Sequence, residues 1–290
     1  MCLFLELLMP KYNLIIQGED VSTPSLKALY ALASAARIER VSDQAFCLPQ
    51  ADPSSKAQVA AHCLAAQLDF AFVDTTHTLA NVGLIALDMD STLISIECID
   101  EIADFAGLKN EVSKVTAAAM RGEIDWPESL RQRVGLLKGL DESALEKVYN
   151  ERLKLSPGAD RLLGAARQAG IRLLLVSGGF TFFTERLKQQ LSLDYAYSNI
   201  LEIEEGKLTG RVTGELLDAD AKARHVARLR DALGLTRDQL IVIGDGANDL
   251  KMMAETNHSV AYRAKPVVQQ QASYALNFVG LDGVLNLFRA

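Results

Sequence analysis

Three short runs of unbroken apolar residues stand out along the chain: VGLIALD at 82–88, IRLLLVS at 171–177 and LIVIGD at 240–245. Runs of that length without alternating polar positions predict strands buried on both faces, as in a parallel sheet covered by helices. Each ends in a polar turn and leads into a helix-compatible stretch. Helical periodicity also precedes the later strands, for example over 159–169. The alternation predicts a doubly wound, Rossmann-like α/β domain, whose ligands sit beyond the carboxyl ends of its strands. Two insertions break the rhythm. The stretch 97–155 is almost entirely helical in pattern and predicts an α-helical cap. Residues 199–217 alternate around Glu205-Gly206-Lys207 and predict a β-hairpin at the sheet edge.

The first 81 residues follow another pattern. A strand over 12–17 precedes Ser22-Thr23-Pro24, which opens a helix running towards Ala36 with proline at a permitted early position. Two strands over 37–49 turn near Ser42-Asp43, a helix covers 54–68, and a further strand covers 69–73. The order β-α-β-β-α-β predicts a small α+β domain over 1–81, leaving 82–290 for the α/β domain. The start, MCLFLELLMPKYN, is apolar but has no basic n-region and is interrupted by Glu6. It predicts neither a signal peptide nor a membrane span.

Composition narrows the partners. A chain of 290 residues accommodates two structural units, and 49% hydrophobic with 23% charged residues is the make-up of a soluble globular protein. The net charge of −7 argues against binding nucleic acid over a broad surface but leaves room for a small anionic substrate. Cys2, Cys47, Cys63 and Cys98 form no C-x-x-C pair, so reduced thiols in a cytoplasmic protein are expected. The four histidines are scattered, and their spacing suggests no metal site.

The unusual polar residues collect at the carboxyl ends of the three apolar strands. Asp88-Met89-Asp90-Ser91-Thr92 places two carboxylates two positions apart, so both can face one crevice. The third strand delivers GDGAND, with Asp245 and Asp249. At an effective dielectric of about 20, two like charges about 4 Å apart repel by roughly 4 kcal/mol. A bound cation relieves that repulsion, and oxygen ligands without a dense calcium-type loop favour Mg2+. Ser177-Gly178-Gly179 ends the second strand, where free backbone N–H groups can meet an anion. Lys222 can add a positive charge. Taken singly, each has a blander reading: a helix cap, a turn, a solvated lysine. Together they describe phosphoryl transfer.

The same residues carry a resemblance. DMDST at 88–92, the SGG of 177–179, Lys222 and GDGAND at 244–249 match, in order and spacing, the four motifs of the haloacid-dehalogenase-like (HAD) hydrolases. Within that superfamily the chain resembles the phosphoserine phosphatases. The resemblance implies that Asp88 attacks phosphorus and becomes an aspartyl phosphate. Asp90 protonates the leaving oxygen and then activates water. It further implies Mg2+ held by Asp88, the backbone carbonyl of Asp90, and Asp245. Ser177, Gly178 and Lys222 bind the phosphoryl group, and Asn248 and Asp249 support the site. Ion pumps that share the nucleophile carry threonine at the position of Asp90, and dehalogenating members need no acid there.

For the substrate, phosphoserine, the family pattern places a partner for the ammonium at Glu97. It places a partner for the carboxylate at Arg133 on the cap. Met120 and Trp126 are the nearby apolar cap residues, Trp126 standing where phenylalanine is common. Glu97 and Arg133 are also readable as charged positions on amphipathic helices. The N-terminal order resembles ACT-like domains, which sense amino acids or mediate dimerisation; that makes a homodimer one expectation and a passive structural domain another. Two alternatives stay open: a phosphatase or phosphotransferase acting on another small phosphomonoester such as phosphohomoserine, and a catalytically silent metabolite sensor. A sensor has no need of both Asp88 and Asp90.

Overall fold

The computed structural model describes residues 12–289, and of Met120 only the backbone. The apolar start with Glu6 lies outside the described residues. Strands β1 (Tyr12–Gln17), β2 (Glu39–Arg40), β3 (Ala45–Ala51) and β4 (Asp69–Asp74) form an antiparallel sheet in the order β2-β3-β1-β4. With α1 (Thr23–Leu32) and α2 (Lys56–Ala65) this is a ferredoxin-like arrangement. Both helices stop short of the lengths expected from sequence, because Ser34 and Gln67 adopt left-handed φ values of 48° and 53°.

Alternation along these strands serves two cores. Leu14, Ile16 and Leu48 pack with Leu26, Leu29 and Val59 of the helices, whereas Ile15, Cys47, Ala71 and Val73 join the larger core of the second sheet. Polar contacts reinforce this packing. Both carboxylate oxygens of buried Asp69 accept backbone N–H groups, from Asn277 (2.7 Å), Phe278 (2.9 Å) and Val279 (3.0 Å).

The second sheet has seven strands: β5 (Leu84–Leu87), β6 (Arg172–Phe180), β7 (Tyr195–Glu204), β8 (Lys207–Thr213), β9 (Leu240–Gly244), β10 (His258–Tyr262) and β11 (Tyr274–Leu276). Their order is β11-β10-β9-β5-β6-β7-β8, parallel except for the β7–β8 hairpin. The expected apolar strands β5, β9 and β6 are adjacent, and each is buried on both faces. Ile85, Leu87, Leu173, Leu175, Ile241 and Ile243 face one core, and Leu84, Ala86, Leu174, Val176, Leu240 and Val242 the other. The second core is completed by α9 (Ala219–Ala232) and α10 (Leu250–Met253), the first by α7 (Ala159–Gln168), α8 (Thr181–Leu191) and α12 (Gly283–Leu287). Short α11 (Pro266–Gln271) joins β10 to β11.

The stretch expected to be a helical cap holds α3 (Cys98–Phe105), α4 (Lys109–Met120), α5 (Trp126–Leu136) and α6 (Ser143–Lys147). Asp125 caps α5, its side chain accepting from the N–H of Glu128 at 2.8 Å, and Pro127 occupies a first-turn position. The chain turns from β5 to β6 on one side and reaches β9 on the other, so a crevice opens beyond the carboxyl ends of β5 and β9.

Candidate active site

Asp88 follows β5 directly and is still pinned to the sheet, its N–H donating to the Ile243 carbonyl at 3.0 Å. A wide turn over Met89–Leu93 comes next, in which Ser91 takes a left-handed φ of 55°. The Ser91 N–H donates to the Ile96 carbonyl (3.1 Å) and its hydroxyl to Glu97 Oε1 (2.7 Å). These contacts fold the chain back so that Asp88, Asp90 and Glu97 line one cavity. Asp90 Oδ1 accepts the Cys98 N–H at 3.0 Å, an orphan donor at the start of α3.

Behind the cavity wall lies a buried ion triad. Lys222 on α9, 1% exposed, donates to Asp88 Oδ1 at 2.6 Å and to Asp249 Oδ1 at 2.8 Å. Asp249 is fully enclosed, and its Oδ2 accepts the N–H groups of Asp245 (3.1 Å) and Gly246 (3.0 Å). Asp249 therefore holds both the lysine and the loop that presents Asp245. Thr92 adds a longer contact, its hydroxyl 3.4 Å from Asp245 Oδ1.

The cavity encloses about 300 Å³. Besides the carboxylates, Ser177, Gly178, Asn248, Trp126 and Arg133 line it, as do Asp100 and Lys265. Sequence reasoning had singled out neither of the last two. Asp100 lies three residues after Glu97, a helical spacing that could have found it. The Ser177 hydroxyl accepts the Gly179 N–H at 2.9 Å. A Cβ on Gly178 would sit 2.9 Å from Trp126 Cζ2, and one on Gly179 would sit 2.9 Å from Asp90 Oδ2. Glycines at both places let the cap indole and the acid approach the backbone closely. Met120 ends α4, but its side chain lies outside the described residues.

One further residue was missed. Asn199, 1% exposed, donates from Nδ2 to the Gly178 carbonyl at 2.9 Å, and its Oδ1 accepts the Leu217 N–H at 2.8 Å. It ties the Ser177–Gly179 loop to the segment that leads into α9 and Lys222. In the sequence it reads only as a polar residue opening a hairpin.

Electrostatics single out the same cluster. Burial, then the charge of Asp249, raises Asp88 well above the usual carboxylate range, against the opposing pull of Lys222. Asp245 is pushed up to about 7 by burial and by Asp249. Burial and Glu97 push Asp90 up to about 7 as well. For Lys222 burial acts downward, but Asp249 and Asp88 outweigh it and hold the ammonium above its ordinary value. One lysine does not neutralise this many carboxylates. Oxygens of Asp88, Asp245 and Asp249 lie within 4.8 Å of one another; with Asp249 engaged by Lys222 and two backbone N–H groups, Asp88 and Asp245 remain to share a hard divalent cation.

A strand-end carboxylate pair at the switch point of a doubly wound sheet, a buried lysine, and a serine followed by two glycines on the neighbouring strand define a phosphoryl-handling hydrolase. The family model for haloacid dehalogenase-like hydrolases matches residues 85–254, and one for a domain of unknown function matches 14–59. A phosphoserine phosphatase of Polaromonas sp. is 53% identical over 216 residues, covering 73% of this chain and 92% of that protein. Among solved structures, a HAD family hydrolase from Salmonella enterica serovar Typhi superposes with a TM-score of 0.88 at 31% identity, covering 96% of this chain and 98% of that one. A probable phosphoserine phosphatase from Vibrio cholerae gives 0.83 at 39%, covering 95% and 86%. The chain belongs to the haloacid dehalogenase-like hydrolases and, among them, to the phosphoserine phosphatase family.

Proposed function

We propose that the chain hydrolyses O-phosphoserine to serine and phosphate through an aspartyl phosphate on Asp88. The observation that carries this reading is the pairing of buried Lys222 with Asp88, which lines a cavity that also presents Glu97 and Arg133. Lys222 occupies Oδ1 of Asp88, so Oδ2 attacks phosphorus. The O–P bond to serine breaks as Asp90, whose pKa burial and Glu97 raise to about 7, gives its proton to the departing serine oxygen. Asp90, then ionised, takes a proton from the water that attacks the aspartyl phosphate and frees Asp88. Phosphate oxygens are received by the Ser177 hydroxyl, backbone N–H groups at Gly178 and the charge of Lys222. Asn248 and Asp249 hold the loop around them.

Asp88, the backbone carbonyl of Asp90, and Asp245 would hold the divalent ion, which we take to be Mg2+ because every donor is a hard oxygen. When bound, it supplies positive charge that keeps these carboxylates ionised and offsets charge on the phosphate. Glu97 and Asp100 face the substrate ammonium, and Arg133 the carboxylate, while Trp126 supplies an apolar wall from the cap. The β2-β3-β1-β4 sheet supports reading the N-terminal unit as an ACT-like domain that ends at residue 81, with 82–290 the catalytic domain; on this reading the protein acts in the cytoplasm, and the N-terminal unit serves either dimerisation or the packing of the fold.

A screen of small phosphate esters with Mg2+ tests the reading. Phosphoserine is expected to give the highest kcat/KM, ahead of phosphohomoserine, and Asp88→Asn to leave neither turnover nor acid-stable labelled protein. A variant that retains appreciable hydrolysis points instead to direct attack by water.

A further inference from the structure

Away from the crevice, the fold gathers three residues that lie far apart in sequence. His77 lies in the connection after β4, Asp238 just before β9, and His258 opens β10. One donor atom of each lies within 4.8 Å of the other two. His258 is 2% exposed, and neither of its ring nitrogens has a hydrogen-bond partner among the described residues. Its Nε2 stands 3.9 Å from Asp238 Oδ1, too far for a hydrogen bond. The His77 ring crosses it edge-on with centroids 4.4 Å apart.

A neutral imidazole carries one N–H and one lone pair, and burial without partners leaves both unsatisfied. Burial and the neighbouring His77 keep the ring neutral, with its pKa pushed down to about 4. That is the protonation state a metal ligand requires. The carboxylate is already oriented, since Asn257 Nδ2 donates to Asp238 Oδ1 at 2.6 Å. Donors around a tetrahedral ion at about 2.0–2.1 Å stand roughly 3.4 Å apart, so small rotations of the more accessible His77 and Asp238 complete the set.

We propose that His77, Asp238 and His258 form a second metal site, selective for a borderline transition-metal dication such as Zn2+. Two imidazoles and one carboxylate suit such an ion, with water as fourth ligand, whereas the all-oxygen crevice suits a hard one. The site bridges the connection leaving the N-terminal sheet to two neighbouring strands of the catalytic sheet. Its bound ion therefore fastens one to the other, independently of the substrate reading.

The test is zinc titration of the full chain against a chromophoric chelator, in excess Mg2+ and on an Asp245→Asn background that removes competition from the crevice. One tight equivalent is expected, and adding His77→Ala or Asp238→Asn should raise its Kd more than about tenfold, the scale reached even by outer-shell losses. In parallel, Zn2+ should raise the unfolding temperature of Asp245→Asn but not of the double variants. Asp238→Asn, an isosteric change at an exposed position, keeps the test valid if His77→Ala folds poorly. Absence of a tight equivalent, or one that survives both substitutions, overturns the proposal.

Discussion

Asp90 and Asp88 are two carboxylates with different neighbours, and the difference assigns their work. Asp88 shares Lys222 with Asp249, whereas Asp90 has a backbone N–H on one oxygen and the charge of Glu97 nearby. Asp90→Asn removes the proton carrier and should lower kcat by about 10²–10⁴-fold, the usual worth of a general acid–base. Rapid-quench labelling should show the phosphoenzyme persisting longer than in the wild type; unchanged decay would take water activation away from Asp90. Arg133 is a substrate-recognition case. Its guanidinium lines the cavity from α5 and senses Asp100 and Glu97. Losing a charged hydrogen bond costs about 1.5–3 kcal/mol, so Arg133→Ala should raise KM for phosphoserine roughly tenfold or more. A generic aryl phosphate should be little affected, and an equal loss for both substrates would remove the carboxylate role. Asp88, Asp90 and Asp245 were legible because strand-end carboxylates in short motifs betray their position. Lys265 was not, since a charge near a helix start looks like any other, and Asp100 had only its helical spacing from Glu97 to mark it.

Elements carry the site through what joins them. Ser177–Gly179 form the irregular last part of β6, where its pairing with β7 shifts register; Lys222 sits on α9, and Asn199 links the two by bonding Gly178 and Leu217. Asn199→Ala strands a part-buried carbonyl and a buried N–H, the latter at a penalty of about 1–3 kcal/mol. The expected result is a lower unfolding temperature together with impaired kinetics on every phosphate ester tested, unlike the selective loss at Arg133. Normal kinetics on all esters would show that the loop holds its place without the latch. The helical cap and the edge hairpin were readable from periodicity alone. Helix ends were not: α1 and α2 terminate where Ser34 and Gln67 turn left-handed, a choice made by packing rather than by glycine. Strands β10 and β11 went unrecognised: HSVAY is as long as β9 but opens on two polar residues, and YAL has only three residues.

At the scale of the molecule, the crowded carboxylates make the fold sensitive to its cation. An ion that binds only the folded state stabilises it by mass action, about 2.7 kcal/mol at a hundredfold excess over Kd. EDTA should therefore abolish activity and lower the unfolding temperature, and Mg2+ should restore both. Asp245→Asn should erase the Mg2+-induced shift, and full activity in metal-free buffer would refute the metal role. The sequence by itself determined the doubly wound sheet, the inserted cap, the separate strand-and-helix order at the start, and the motif carboxylates. These are local in origin: hydrophobic periodicity sets which faces are buried, and motif spacing sets what leaves a strand end. Only the tertiary structure decided that Lys222 lies enclosed between Asp88 and Asp249, that Asn199 latches the phosphate loop, and that three carboxylates share one space. It likewise brought scattered His77 and His258 together beside Asp238. Each of these depends on contacts between segments distant in sequence, and spacing along a chain carries no information about distances set by how its sheets pack.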